Sequence, residues 1–467
     1  MRLRIKIFSI VLVLCMLSGT ILYAQSKQSA FEDRSLFSLN KTTVRIWYTD
    51  DALTPYLQNK AVAFSESRSK VRVEPVLVSG LEYLEAINKA SLEDDNYPDL
   101  YIITNDSLEK AYLAGLALEI DNGVDFLDEE TFPTSAINSV TYNDRLVAYP
   151  FYYETSSLVY NKTYLEDMIR EQGQEEGLEL TNEQVVEKVD EIIPRTIADI
   201  LKFAQSYNAP DQVEAVFKWD VTDIFYNYFF VGNYMNVGGK AGDDVSLIDI
   251  YNADTISCMK IYQQLNQFFA IDANEIDYDS VVQDYIDGKI VFTVATTDIL
   301  SKIEAAKALG ECDYEFAVAD IPDITQDYKT RTMSVTDCIV VNGYSEHISE
   351  ANSFAQYLLN DNSGDIYSLS GKLATHYGVN YGNNNLDTFM DVYADSVPMP
   401  KTIETSNLWM ELEIAFTKIW NGEDCNTTLK NVSENIMTQV TGNAFEEETI
   451  PDPTDLDITD GLTEESD

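Results

Sequence analysis

The sequence predicts an α/β protein, and three observations carry that reading. Strand and helix signals alternate from residue 44 onward. The run Pro98-Asp-Leu-Tyr-Ile-Ile103 is continuously apolar, as in a parallel strand covered on both faces. The chain also has 467 residues, 45% of them hydrophobic, which is enough for two cores. In order, Val44-Arg-Ile-Trp-Tyr48 alternates as a strand should, and a helix is expected over 55–65. A second strand follows at 71–78, then a helix with Leu84, Ile87 and Leu92 in step. After the third strand, Asn105 and Asp106 open a helix carrying Leu108, Ala111 and Tyr112. Strand, helix, strand, helix, strand is a doubly wound lobe, whose ligands sit beyond the carboxyl ends of the strands. Trp47, Tyr48, Ser79 and Asp106 fall there.

Beyond this lobe, residues 166–193 read as an acidic, helical insertion, with a capping box at Thr181-Asn-Glu-Gln184. Helices are expected at 222–230, 255–269, 280–286, 350–359, 408–420 and 427–440, and strands at 288–294 and 333–341. From 446 to 467 the chain is polar and acidic, contains Pro451 and Pro453, and reads as a disordered tail.

Composition narrows the function. Arg2, Arg4 and Lys6 precede an apolar run at 7–17, as in an export signal covering 1–24, followed by a polar leader over 25–41. An uncleaved anchor is the alternative. Either way the body is expected outside the cytoplasm. The formal net charge is −48, which repels phosphate backbones and makes nucleic acid a poor partner. Cys258, Cys312, Cys338 and Cys425 are too widely spaced for a metal knuckle, and Cys258 and Cys338 lie in apolar patterns. With only His347 and His376 beyond them, no metal or other cofactor is expected.

The most informative stretch is residues 146–162, where a β-rich run crosses Pro150 and reaches Glu154 beside Phe151, Tyr152 and Tyr153. A carboxylate accepts sugar hydroxyl hydrogens, and aromatic rings cover the apolar face of a sugar. Most of the 29 tyrosines must nevertheless be structural.

Together these residues resemble the extracellular solute-binding proteins of the maltose-binding type that serve ABC importers. The resemblance rests on Val44-Arg-Ile-Trp47, Pro98-Asp99, Asn105-Asp106, Ala148-Tyr149-Pro150, Glu154 and Tyr160-Asn161-Lys162. Gly288-Lys-Ile-Val-Phe292, Ile321-Pro322, Pro398-Met-Pro400 and the Trp409 helix extend it over most of the chain. It implies two doubly wound α/β lobes joined by a multi-segment hinge, the type II periplasmic-binding-protein arrangement. The expected lobes are 42–148 with 301–342 and 149–300 with 343–445, with crossings near 147–151, 296–301 and 342–345. It also implies carbohydrate capture by hinge closure, delivery to the transmembrane subunits of a permease, and action as a monomer. By the same resemblance Asp106 and Glu154 are the acidic ligand contacts, with Trp47, Tyr48 and Tyr228 as further contacts; Ser79, at a strand's carboxyl end, and Tyr152, beside Glu154, are candidates from their positions. One departure is Asp298, where many sugar binders of the family place a tryptophan; it adds a carboxylate to the cleft.

Two other functional classes share some of these features. A glycosidase also uses paired carboxylates, but no nucleophile motif or phosphate-binding loop accompanies them, so no enzyme activity is expected. A binding protein for a cationic solute, such as an amino sugar or polyamine, suits the acidity, and a sensor could use the same cleft.

Overall fold

The computed structural model describes residues 41–454 apart from residue 95, 121–125 and 361–363. The expected signal, all of the leader but its last residue, and residues 455–467 lie outside the described residues. The strands are β1 (Thr42–Tyr48), β2 (Val71–Leu77), β3 (Leu100–Thr104), β4 (Thr141–Tyr142), β5 (Arg145–Leu146) and β6 (Tyr149–Asn161). They continue as β7 (Ala215–Phe217), β8 (Ile290–Thr296), β9 (Phe316–Ala319), β10 (Met333–Val341), β11 (Leu373–Ala374) and β12 (Val397–Pro398).

The hydrogen-bonded order is β2-β1-β3-β10-β6-β8-β7. β1 runs parallel to β2 and β3, as the alternating pattern requires. β6 divides this path into two lobes. Its first half pairs with β10 and β11, through contacts such as Glu154 with Val335 and Tyr152 with Ala374. Its second half pairs with β8 and β9, beginning at Ser156 with Thr296. One strand thus belongs to both sheets, and the chain passes between lobes at Thr155–Ser156. It can do so because the strand is buried along its length, with Glu154 the single residue that is not.

The hinge differs from expectation in its details. The first crossing lies at Thr155–Ser156 rather than at 147–151. Residues 296–301 do not cross: Ile299 and Leu300 begin helix Asp298–Leu309, which returns the chain to β9 in the same sheet. The chain re-enters the first sheet between Ala319 and Met333. Nor does it cross at 342–345, because helix Ile348–Leu359 packs back on the first lobe, with Phe354 edge-on to Phe64 at 5.1 Å. The last passage follows β12, which still pairs with β10, and precedes helix Leu408–Trp420.

The second lobe's core is aromatic, with Trp219 against Phe217 at 4.5 Å and against Trp420 at 5.5 Å. Cys258, Cys312, Cys338 and Cys425 are all free thiols inside the protein. The insertion forms helices Lys162–Glu175 and Asn182–Ile192, and the Thr181 capping box is formed. Val185 and Val189 are buried, whereas Val186 is 43% exposed. The single helix expected over 222–230 is instead two 3₁₀ turns, Ile224–Tyr226 and Tyr228–Phe230. The buried Asn227 accounts for the break: its amide donates to Asp220 O and Asp223 O and accepts from Trp219 Nε1. The first part of the expected disordered tail is placed against the body. Ile450 N donates to Tyr251 Oη, and Asn426 Nδ2 donates to Ile450 O. Among the described residues no helix is long and apolar enough to cross a membrane.

Candidate functional site

The two lobes face each other across a cleft of about 420 Å³. Its first wall is built on β6. Side chains alternate along a strand, so Tyr152 and Glu154 share a face while Tyr153 points the other way. Tyr153 is fully enclosed and stacks on Tyr393 at 3.9 Å. Gly371, at φ +73°, ends helix Ile366–Ser370 in the left-handed conformation and delivers Lys372 to the cleft. The Lys372 ammonium lies 2.9 Å from Asp50 Oδ2, 3.1 Å from Glu154 Oε1 and 5.2 Å from the centre of the Tyr152 ring. Burial alone would lower the Lys372 pKa, but Glu154 and Asp50 outweigh it and raise the value. The residue therefore stays charged.

The opposite wall comes from β8 and the elements beside it. Asp298 Oδ1 accepts from Thr296 Oγ1 at 2.5 Å and from Tyr278 Oη at 2.6 Å. Its other oxygen lies 2.9 Å from Lys302 Nζ, one helical turn on, and that ammonium also reaches Asp279 Oδ1 at 3.2 Å. Tyr278 stacks on Tyr226 at 4.5 Å and 10°. Asp223 completes this side, its pKa raised by burial first and by Asp220 second. A second recess, about 350 Å³, opens at the carboxyl ends of β1–β3, lined by Thr49, Gly80, Thr104, Ser107 and Asp337 among others.

Asp337 sits on β10 opposite Tyr152, where the register shifts. Burial, then the charge of Glu154, pushes its pKa up to about 7. Its ordinary value is 3.8, so between the two the folded protein holds a proton that the unfolded chain has lost. The stability this group contributes is complete below about pH 4 and disappears as pH rises through about 7. Asp337→Asn should therefore gain in melting temperature relative to wild type between pH 4.5 and pH 8, as read by calorimetry. A constant difference across that range would contradict the assignment.

The structure sorts the sequence-derived candidates. Glu154 and Asp298 both line the cleft, one on each wall. Tyr152 is 4% exposed and lies beneath Lys372, so it supports the wall more than it faces a solute. Asp106 follows β3, in the turn Asn105–Ser107, with its carboxylate folded back to accept from Thr104 Oγ1 and Ser107 Oγ. Ser79 is exposed beside the recess and accepts from Leu81 N at 3.3 Å. Three candidates point elsewhere. Tyr48 is 2% exposed and donates to Thr54 Oγ1, because alternation along β1 sends it inward. Trp47 is half-buried against the first core. Tyr228 has no exposure and packs edge-on to Trp409; the aromatics of this segment that reach the cleft are Phe225 and Tyr226.

Sequence reasoning missed Asp50, Lys372, Lys302 and Tyr278. Lys302 carried a usable signal, four residues after Asp298 on a helix. Lys372 carried none, since a lone lysine after a glycine is indistinguishable from surface. Among the described residues no group of three or more His, Cys, Asp or Glu is placed to hold a metal ion.

Two α/β bodies sharing a strand, with a polar cleft between them, define a two-lobed solute-binding protein. The chain belongs to the bacterial extracellular solute-binding proteins, whose family model matches residues 60–371. Among solved structures it is similar to an extracellular solute-binding protein from Staphylococcus aureus in complex with maltose. That pair shares 18% identity at a TM-score of 0.71, over 88% of this chain and 99% of that one. The maltose-binding periplasmic protein MalE from Listeria monocytogenes, in complex with maltose, gives 18% identity and 0.69 over 87% and 100%. The GacH receptor of Streptomyces glaucescens, solved unliganded and with acarbose, gives 16% identity and 0.64 over 86% and 99%. A search of curated proteins finds no match.

Proposed function

We propose that this protein is the extracellular binding component of an ABC importer, capturing a neutral mono- or oligosaccharide between its lobes and presenting it to a membrane permease. The observation that carries the reading is the pair of cleft walls, each offering carboxylates and an ammonium to one shared space, with the rings of Tyr226 and Tyr278 on the second wall. Carboxylates and ammonium groups pair with hydroxyls of either polarity, and rings cover the C–H faces. A solute touching both walls gains its full contact energy only when the lobes close, so binding shifts the population toward the closed state. The solved structures with maltose and acarbose in this fold support the same class of solute. The protein acts as a monomer on the outer face of the membrane, and it holds the solute without converting it.

One observation favours a second reading, a cationic solute such as an amino sugar or polyamine: Asp50, Glu154, Asp223 and Asp298 outnumber Lys302 and Lys372. Thermal-shift screening with maltose, maltotriose, cellobiose, xylobiose, glucosamine and spermidine separates the two. The expected result is a raised melting point with a neutral sugar, insensitive to salt, and no product on prolonged incubation. Stabilisation by spermidine alone, abolished by salt, would establish the cationic reading instead.

A further inference from the structure

The two walls contain the same device. On the first lobe, Lys372 bridges Asp50 and Glu154 above the Tyr152 ring. On the second, Lys302 bridges Asp279 and Asp298 and lies 5.0 Å from the centre of the Tyr278 ring. Both lysines line the same cleft. An ammonium has three N–H groups, and two are committed to the flanking carboxylates, so one remains for a solute. The carboxylates do more than neutralise each lysine. They fix the ammonium in position, and Glu154 and Asp298 present acceptor oxygens beside it.

We propose that Lys372 and Lys302 are specificity-determining residues, one per lobe, each reading a pair of adjacent hydroxyls on a neutral sugar. One hydroxyl oxygen accepts the free ammonium N–H, and its neighbour donates to the adjoining carboxylate. The arrangement selects vicinal diols over deoxygenated positions. It also resists cationic solutes, because a positive charge already occupies the space between each pair of carboxylates. Closure is required for both readers to engage one solute. This assignment rests on the carbohydrate reading above and deepens it.

The test uses the mature chain as wild type, Lys372→Met, Lys302→Met and Lys372→Arg, titrated calorimetrically with the best-bound neutral sugar of that panel and with spermidine. Each methionine variant should lose sugar affinity by about tenfold or more. Lys372→Arg should recover part of the loss, because it restores charge and donors in altered geometry. Lys372→Met should also bind spermidine more tightly than wild type, since Asp50 and Glu154 are then unneutralised; a merely structural lysine would not produce that reversal. Unchanged sugar affinity in both methionine variants overturns the assignment and leaves the carbohydrate reading standing. Saturation of wild type by no sugar in the panel overturns both.

Discussion

Lys401→Met should destabilise the protein more than any other change at the hinge, by about 3 kcal/mol. Lys401 is 1% exposed, and its ammonium makes no ion pair within 4.0 Å among the described residues, the charge of Asp243 acting on it from farther away. Its ammonium donates instead to three backbone carbonyls: Asn138 O at 2.8 Å, Thr141 O at 2.7 Å and Ala241 O. The first two belong to helix Thr134–Ser139 and β4 on the first lobe. The third lies in the loop between Asn236 and Asp249, which packs with the second lobe. Burial pushes the Lys401 pKa down to about 8, so near neutrality the group is still mostly charged. Lys401 N also donates to Gly242 O at 2.8 Å, and Asn143 N donates to Asp243 Oδ2 at 2.8 Å, so the two lobes are tied together at this point. Methionine preserves the length of the chain but leaves three acceptors without their donor. Calorimetric unfolding of the variant should show a melting point lower by several degrees. An unchanged melting point would mean that the clamp contributes nothing.

Removing one carboxylate from each wall should have the largest effect on binding. Glu154→Ala and Asp298→Ala each delete an acceptor for solute hydroxyls and also release a lysine from its position. A hydrogen bond to a charged group contributes about 1.5–3 kcal/mol, so each variant should lose roughly tenfold to a hundredfold in affinity. The double variant should lose at least the product, because a solute gripped by neither wall gains nothing from closure. Titration of the four proteins with the same sugar checks this. A double variant no weaker than Glu154→Ala alone would show that the second lobe does not read the solute.

The parts legible in the sequence are those set by local pattern. β1, β3, β10 and the capping box at Thr181 follow from alternation, continuous apolarity and a four-residue motif. Glu154 was legible because a charge inside a long apolar strand must be accommodated by something. What local pattern cannot show is which strand a segment pairs with. β6 reads as one strand, and nothing in Thr155-Ser156 announces that its partners change there. The same limit hid Lys372, which meets Asp50 and Glu154 from more than two hundred residues away. Tyr48 and Tyr228 illustrate another limit: aromatics near a cleft are also what a core uses, and one residue along a strand reverses the direction of a side chain.

In the proposed function one solute sits between the β6 wall and the β8 wall and touches both. A crystal structure of the protein, prepared as residues 25–467, with its best-bound sugar tests this most directly. The predicted result is sugar density with hydroxyls within hydrogen-bonding distance of Glu154 or Lys372 on one side and of Asp298 or Lys302 on the other. Sugar bound outside this cleft, or held by a single lobe with the other wall out of reach, would contradict it.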